Sequence, residues 1–198
     1  MRVIGIDPGL VCTGVATVDK GKVETFPVKT RRTCSDAARQ YHIVDSILRY
    51  VVPGDVLIFE DFAMSGKFQP SGKFVERIEI AGALKFVCQR KTGLPFLQCR
   101  PGHLKAFAAG KASAGKDEVR KAVCGELCRM PNKITTDEAD ALALAILGAH
   151  LVLGASMQIP ITGGRRTAAR KVFVSNKGAI QRIRFLFDAG TFSDENAN

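Results

Sequence analysis

Residues 2–28 read RVIGIDPGLVCTGVATVDKGKVETFPV, and the order of apolar runs and breakers within them decides the fold class. Arg2 to Asp7 is a β-rich run closed by Pro8-Gly9. Gly14 to Val18 is a second, closed by Asp19-Lys20-Gly21, and Lys22 to Val28 is a third. Three such runs joined by turn signals predict an antiparallel meander. Downstream, strands and helices alternate. From Ser35, apolar residues at 38, 41, 44, 47, 48 and 51 fall at helical spacing until Pro53-Gly54. Val56 to Phe59 is unbroken apolar sequence, as in a strand covered on both faces, and it ends in Glu60-Asp61. Lys73 to Gln89 reads as a helix and Pro95 to Cys99 as a short strand. Lys116 to Cys128 reads as another helix after the Gly/Ala/Ser-rich stretch Ala108 to Gly115, and Thr135 opens a last strong helix running to about Leu153. The expectation is an α/β fold: a central mixed five-stranded sheet with its first three strands antiparallel and helices on both faces.

Past Leu153 the pattern changes. Pro160, Gly163-Gly164 and the basic cluster Arg165, Arg166, Arg170, Lys171 precede a strand-like Val172-Phe173-Val174 and a basic amphipathic segment, Ile180 to Phe187. The chain therefore divides into a unit at 1–154 and a basic extension at 155–198, partly disordered, with a polar end SDENAN. Added nucleic-acid contacts, support of a dimer and plain disorder are three readings of that extension.

The 198 residues suit one catalytic domain with a sizeable core. Lys and Arg number 29 against 19 Asp and Glu, a formal charge of +10 that points to a polyanionic partner without separating DNA from RNA or lipid. No charged-then-apolar leader precedes Val3, and the longest apolar stretch, Ala141 to Leu153, is shorter than the roughly 20 residues a bilayer span needs, so a cytoplasmic protein without membrane contact is expected. The six cysteines, at 12, 34, 88, 99, 124 and 128, lack the paired spacings of a zinc site and read as reduced core residues.

Four acids carry the chemistry. Asp7 ends a buried strand between small residues, Gly5, Gly9 and Gly14, which let a ligand approach the backbone; a turn-starting Asp is the plainer account. Glu60 ends an apolar strand, where an acid is costly unless paired or exposed. Thr135 and Glu138 fit a capping box, and Asp137 in the first helical turn suits the helix dipole. Asp140 lies further in, among Ala139, Ala141 and Leu142, and its three-residue spacing from Asp137 sets both carboxylates on one helix face. Four gathered carboxylates repel one another or take up protons unless hard divalent cations are bound, which predicts Mg²⁺ or Mn²⁺. Two such ions suit in-line displacement at a phosphodiester.

The ordered set GIDPGLVCTG (5–14), LIFED (57–61) and TTDEADALALAI (135–146) resembles the RuvC Holliday-junction resolvases of the ribonuclease H-like superfamily, over roughly residues 1 to 152. The resemblance implies a ribonuclease H-like fold, Asp7, Glu60, Asp137 and Asp140 as ligands of two Mg²⁺ ions for which Mn²⁺ substitutes, and a homodimer. It implies cleavage of four-way DNA junctions by symmetric nicks with 5′-phosphate ends. Basic residues beside the acids match Lys105 in RPGHLK and Lys116 in SAGK, which would contact phosphates; solvated surface lysines are the alternative, and His103 between them is read as a surface histidine. Residues 61–72, DFAMSGKFQPSG, differ from cellular members where the family places an aromatic near the junction. Phe62 and Phe68 are the candidates for stacking on an unpaired base, with Phe74 competing and burial in the core as the other reading. Lys67, Lys73, Lys111, Arg165 and Arg166 complete the expected DNA-binding set. The long basic extension suits a phage or prophage variant, acting then in the host cytoplasm.

Three other readings compete. Gly5-x-Asp7-x-Gly9 also opens actin-like and sugar-kinase ATPases, but those need two such domains, so no nucleotide cofactor is expected. A non-catalytic junction-binding protein need not keep all four acids. A nuclease acting more broadly on branched DNA, or on RNA, stays open, because carboxylate and metal chemistry is indifferent to the sugar.

Overall fold

The computed structural model describes residues 1–61, 72–128, 133–154 and 163–189. At its centre is β1 (Val3–Asp7), antiparallel to β2 (Cys12–Asp19) with Asp7 opposite Gly14. β2 turns into β3 (Lys22–Lys29) through Lys20 and Gly21, whose φ angles of 46° and 81° are both positive, as the two-residue turn that matches strand twist requires. On its other edge β1 runs parallel to β4 (Val56–Glu60), which runs parallel to β5 (Leu97–Cys99). The order β3-β2-β1-β4-β5, with the first three strands antiparallel, is the mixed five-stranded sheet expected.

Strand alternation sorts the side chains onto two cores. Ile4, Ile6, Leu57 and Phe59 pack with Ile43 and Ile47 of α1 (Asp36–Tyr50) and with Ile80, Leu84 and Cys88 of α2 (Gly72–Thr92). Val3, Val56, Ile58 and Leu97 point the other way, onto α5 (Thr136–Leu153). Asp7 and Glu60 share the parity of that second set, so both strand-ending acids belong to the α5 face.

α5 is buried on nearly every side, and glycines let it lie against the sheet. A Cβ on Gly5 would stand 2.1 Å from the Ala141 carbonyl oxygen, and one on Gly14 would stand 2.0 Å from that of Asp137. The small residues around Asp7 thus admit a helix backbone, where the sequence suggested an approaching ligand. The capping box is present: Thr135 accepts from the Glu138 amide, and the Glu138 carboxylate accepts from the Thr135 amide.

Other local expectations shift. In α1 the covered positions are Arg39, Ile43 and Ile47, spaced by four, while Tyr41 is 73% exposed. Arg39 can occupy the covered stripe because its guanidinium bonds Thr30 and Asp36. Residues 101–109 form α3 (Pro101–Ala109), with Pro101 at its first turn and a left-handed Gly110 after it, a pairing readable as helix punctuation. The helix expected over Lys116–Cys128 is α4 (Lys116–Ala122) followed by a π-helical turn, Val123–Leu127.

Residues 172–174 are helical. They lie in α6 (Gly163–Ser175), because Ala168, Ala169 and Val172 recur at helical spacing and bury one face in the α5-side core. α7 (Lys177–Asp188) adds Ile180 and Ile183 to the same core, so the basic segment beyond 154 packs on the sheet domain within its described part. Between them Asn176 closes the open edge of β5. Its side chain accepts from the Gln98 amide at 2.9 Å and donates to the Gln98 carbonyl at 2.8 Å, as a neighbouring strand would. All six cysteines are free, and Cys34 is exposed instead of in the core. Among the described residues no helix is long and apolar enough to cross a membrane.

Candidate active site

Asp7 and Glu60 end adjoining parallel strands, and Asp137 and Asp140 sit in the first turns of α5, whose start is held against Gly14. The four carboxylates are therefore carried at the carboxyl edge of the sheet, the usual place for ligands in parallel strands. They are electrostatic neighbours: Glu60, Asp140 and Asp137 each disfavour ionisation of Asp7.

Burial is the largest cause of the perturbations. Asp7, 5% exposed, is pushed up to about 8 by burial and then by Glu60, with Arg77 pulling the other way. Burial likewise raises Glu60 and Asp140 against the pull of Arg77, Lys116 and Lys105.

Two cations stand directly on the acids. Arg77, on α2, reaches over the sheet edge to bridge Asp7 Oδ1 at 3.0 Å and Glu60 Oε2 at 3.2 Å, and also donates to the Pro8 carbonyl. Lys116, at the start of α4, meets Asp137 at 3.2 Å. Lys105, on α3, acts on Glu60 and Asp140 through its charge. Sequence reasoning missed Arg77, since nothing local marks an arginine whose partners lie 70 and 17 residues away. It also missed Cys12, whose thiol is pushed up to about 11 by burial and by the nearby Asp137 carboxylate.

The remaining expected residues lie elsewhere. Lys111 pairs with Glu118 at 2.6 Å, and Arg165 is tied to Glu126 and the Ala108 carbonyl. Arg166 stands near His150, and His103 near Lys171 and Arg100. Phe62, Lys67 and Phe68 fall outside the described residues; Lys73 lies in the first turn of α2 with its side chain outside them; Phe74 is half-buried there.

All-carboxylate oxygen donors are the set that hard divalent cations take. Among the described residues no three candidate ligands close on a common point, and Arg77 and Lys116 lie against three of the four acids. Gathering them on a cation thus requires Arg77 to withdraw, which its 40% side-chain exposure permits. Arg77→Ala is accordingly expected to tighten Mn²⁺ binding about tenfold, or about 1.4 kcal/mol, in the absence of DNA. Calorimetric titration checks this, and weaker binding would mean that Arg77 assembles the acids for the metal instead of competing with it.

The raised Asp7 value carries a second prediction. Below about pH 4 folded and unfolded chains both hold the Asp7 proton. Between about 4 and 8 only the folded chain does, so its contribution to stability falls across that window, by at most about 1.4 kcal/mol per unit, and is gone above about 8. A divalent cation competes with that proton. Its affinity should therefore climb up to about pH 8 and level off above, as read from Mn²⁺ titrations across that range; a flat profile would remove Asp7 from the ligand set.

A protein-family model described as crossover junction endodeoxyribonuclease RuvC matches residues 3–148. A relative of that description from Frankia casuarinae is 32% identical over 166 residues, covering 79% of this chain and 92% of its own length. One from Streptomyces griseus is 35% identical over 157 residues, covering 74% of each. Among solved structures, Thermus thermophilus RuvC superposes with a TM-score of 0.56 at 21% identity, covering 90% of this chain and 98% of that one, a likeness of fold. T. thermophilus RuvC in complex with a Holliday junction substrate gives 0.55 at 25% identity, covering 73% and 90%.

Proposed function

The chain belongs to the RuvC family of crossover junction endodeoxyribonucleases, and from that premise we propose that it resolves four-way DNA junctions by metal-dependent phosphodiester hydrolysis at Asp7, Glu60, Asp137 and Asp140. The observation that carries the reading is that these acids are electrostatic neighbours at one edge of the sheet, with Asp7 almost fully buried beside Glu60. Such a group stays ionised only with positive charge against it.

In this reading the four carboxylates hold two Mg²⁺ ions, for which Mn²⁺ substitutes. When bound, they polarise the phosphate and make water a nucleophile at neutral pH. The rest falls to the chain. Lys116, held by Asp137 at the mouth of the site, and Lys105 offset the charge of the scissile and neighbouring phosphates. The basic surface supplies salt-sensitive, sequence-independent grip, expected of a cytoplasmic DNA enzyme. Phe62, Phe68, Lys67 and Lys73 remain candidates for junction contact.

Symmetric nicking needs two sites related by a two-fold axis. α2 offers a surface for one: Val75, Ile78 and Phe86 are exposed along a single stripe with Gly82, where a Cβ would meet nothing within 4 Å. A second copy of α2 crossing there would cover the stripe. Phe86→Glu combined with Ile78→Glu is expected to yield a monomer by light scattering. An unaltered dimer would put the interface elsewhere.

The function itself is tested on a labelled four-way junction beside a linear duplex of matched sequence, with Mg²⁺ or EDTA. Paired nicks on strands of like polarity, formed only with metal and sealed by ligase without prior phosphorylation, are the expected result. Junction binding without cleavage under Mg²⁺ or Mn²⁺ would point to an architectural role.

A further inference from the structure

At the end of α5 opposite the carboxylates lies a pocket of about 210 Å³ with basic walls. Arg166, Arg170, Arg184 and His150 line it over an apolar floor that includes Leu151 and Phe173, and among the described residues no carboxylate lines it. Asp140 and His150 are ten residues apart on one helix, so about 15 Å separates this pocket from the acids. It also lies past residue 148, where the match to the family model ends.

Its parts are held in place. Arg184 donates from Nε to the Val152 carbonyl at 3.1 Å and from Nη2 to the Leu151 carbonyl at 2.9 Å, clamping α7 to the last turn of α5. Arg166 and Arg170 are four apart on α6, so both guanidinium groups lie on the same helix face, toward His150. His150 loses basicity through burial and through Arg166, so near neutral pH its ring is an uncharged hydrogen-bond donor beside the guanidinia. Guanidinium forks match the oxygens of a phosphate. The volume falls below the roughly 300 to 1,000 Å³ of small-molecule sites, which suits one phosphate group better than a nucleotide.

We propose that the pocket formed by His150, Arg166, Arg170 and Arg184 is a phosphate-binding site, separate from the cleavage centre, that receives a backbone phosphate of the bound DNA. The anion site stands on its own geometry; its assignment to a DNA strand rests on the junction-binding reading. At 3.4 Å per base pair, a separation of about 15 Å equals four or five steps of duplex. The site would thus hold DNA away from the scissile bond, adding affinity without taking part in the chemistry.

Two measurements on the full chain test this. The chain has three histidines, so imidazole resonances from ¹⁵N-histidine-labelled wild type can be assigned with single His→Gln variants and followed while inorganic phosphate is titrated. A saturable shift at His150, and not at His42, is expected. Separately, junction affinity is measured against salt in EDTA, so that the result is independent of cleavage. Arg166→Gln with Arg170→Gln should reduce the slope of log K against log salt by about 0.9, the value for one DNA phosphate that is no longer neutralised. A phosphate shift with an unchanged salt slope would support the site but make free phosphate its ligand and overturn the DNA assignment. No shift at His150 together with an unchanged slope would overturn the proposal altogether, and it would do so even if metal-dependent junction cleavage is observed.

Discussion

Asp140→Asn is expected to lower the junction cleavage rate by about a hundred- to a thousandfold while leaving junction binding in EDTA intact or slightly tighter. Asparagine keeps the size of the side chain and one oxygen, so α5 and its contacts with the sheet persist. What disappears is one of four negative charges, and with it the charge balance on which metal binding depends; loss of even one preorganised electrostatic group costs about 10² to 10³ in rate. A second readout separates this from misfolding. Burial raises the proton affinity of Asp140, with Asp137 adding to it against the pull of Lys116. Its ionised form is therefore a cost to the metal-free fold, which the neutral amide removes. The variant should melt at or above the wild-type temperature in EDTA at pH 8, and the stabilisation that Mg²⁺ confers should shrink. Cleavage within tenfold of wild type would remove Asp140 from the metal site.

Gly14→Ala is expected to destabilise the fold by about 3 kcal/mol and to depress cleavage about a hundredfold in protein that remains folded. The added methyl would sit 2.0 Å from the Asp137 carbonyl oxygen and 2.4 Å from its carbon. Both are backbone atoms, so no rotamer change relieves the clash and the start of α5 must move. Overpacking of this sort costs about 1 to 3 kcal/mol, occasionally more. A displacement of about 1 Å in the helix that carries Asp137 and Asp140 is enough for the hundredfold loss. Gly178→Ala, where the new Cβ meets nothing within 4 Å, serves as the control and should change stability by less than about 1 kcal/mol. Equal melting temperatures for wild type and Gly14→Ala would show that α5 is not seated through that glycine.

The strands and the acids were readable because each leaves a local mark. Alternation and turn residues delimit β1 to β3, an unbroken apolar run marks β4, and an aspartate inside the alanine-rich α5 has no local explanation. Arg77 leaves no such mark: it looks like any arginine on an amphipathic helix until the sheet brings Asp7 and Glu60 beneath it. Val172 to Val174 misled for a related reason. A short β-branched and aromatic run favours a strand locally, but burial of Ala168, Ala169 and Val172 against the α5-side core selects the helix. In α1, apolarity alone set the stripe through Tyr41, whereas the tertiary partners of Arg39 draw the covered face around to Arg39, Ile43 and Ile47.

By itself the sequence determined the five strands of the mixed sheet and the helices α1, α2 and α5, and it singled out four acids as candidates. Those depend on side-chain periodicity and on charges placed where burial would otherwise forbid them. Only the tertiary structure decided that Gly5 and Gly14 receive a helix backbone, that Arg77 stands between Asp7 and Glu60, and that Asn176 seals the edge of β5. It also decided that α6 and α7 close over the α5-side core, bringing Arg166, Arg170 and Arg184 to His150. Each of these joins residues far apart in the chain, and a contact of that kind is set by how elements pack, which no local pattern encodes.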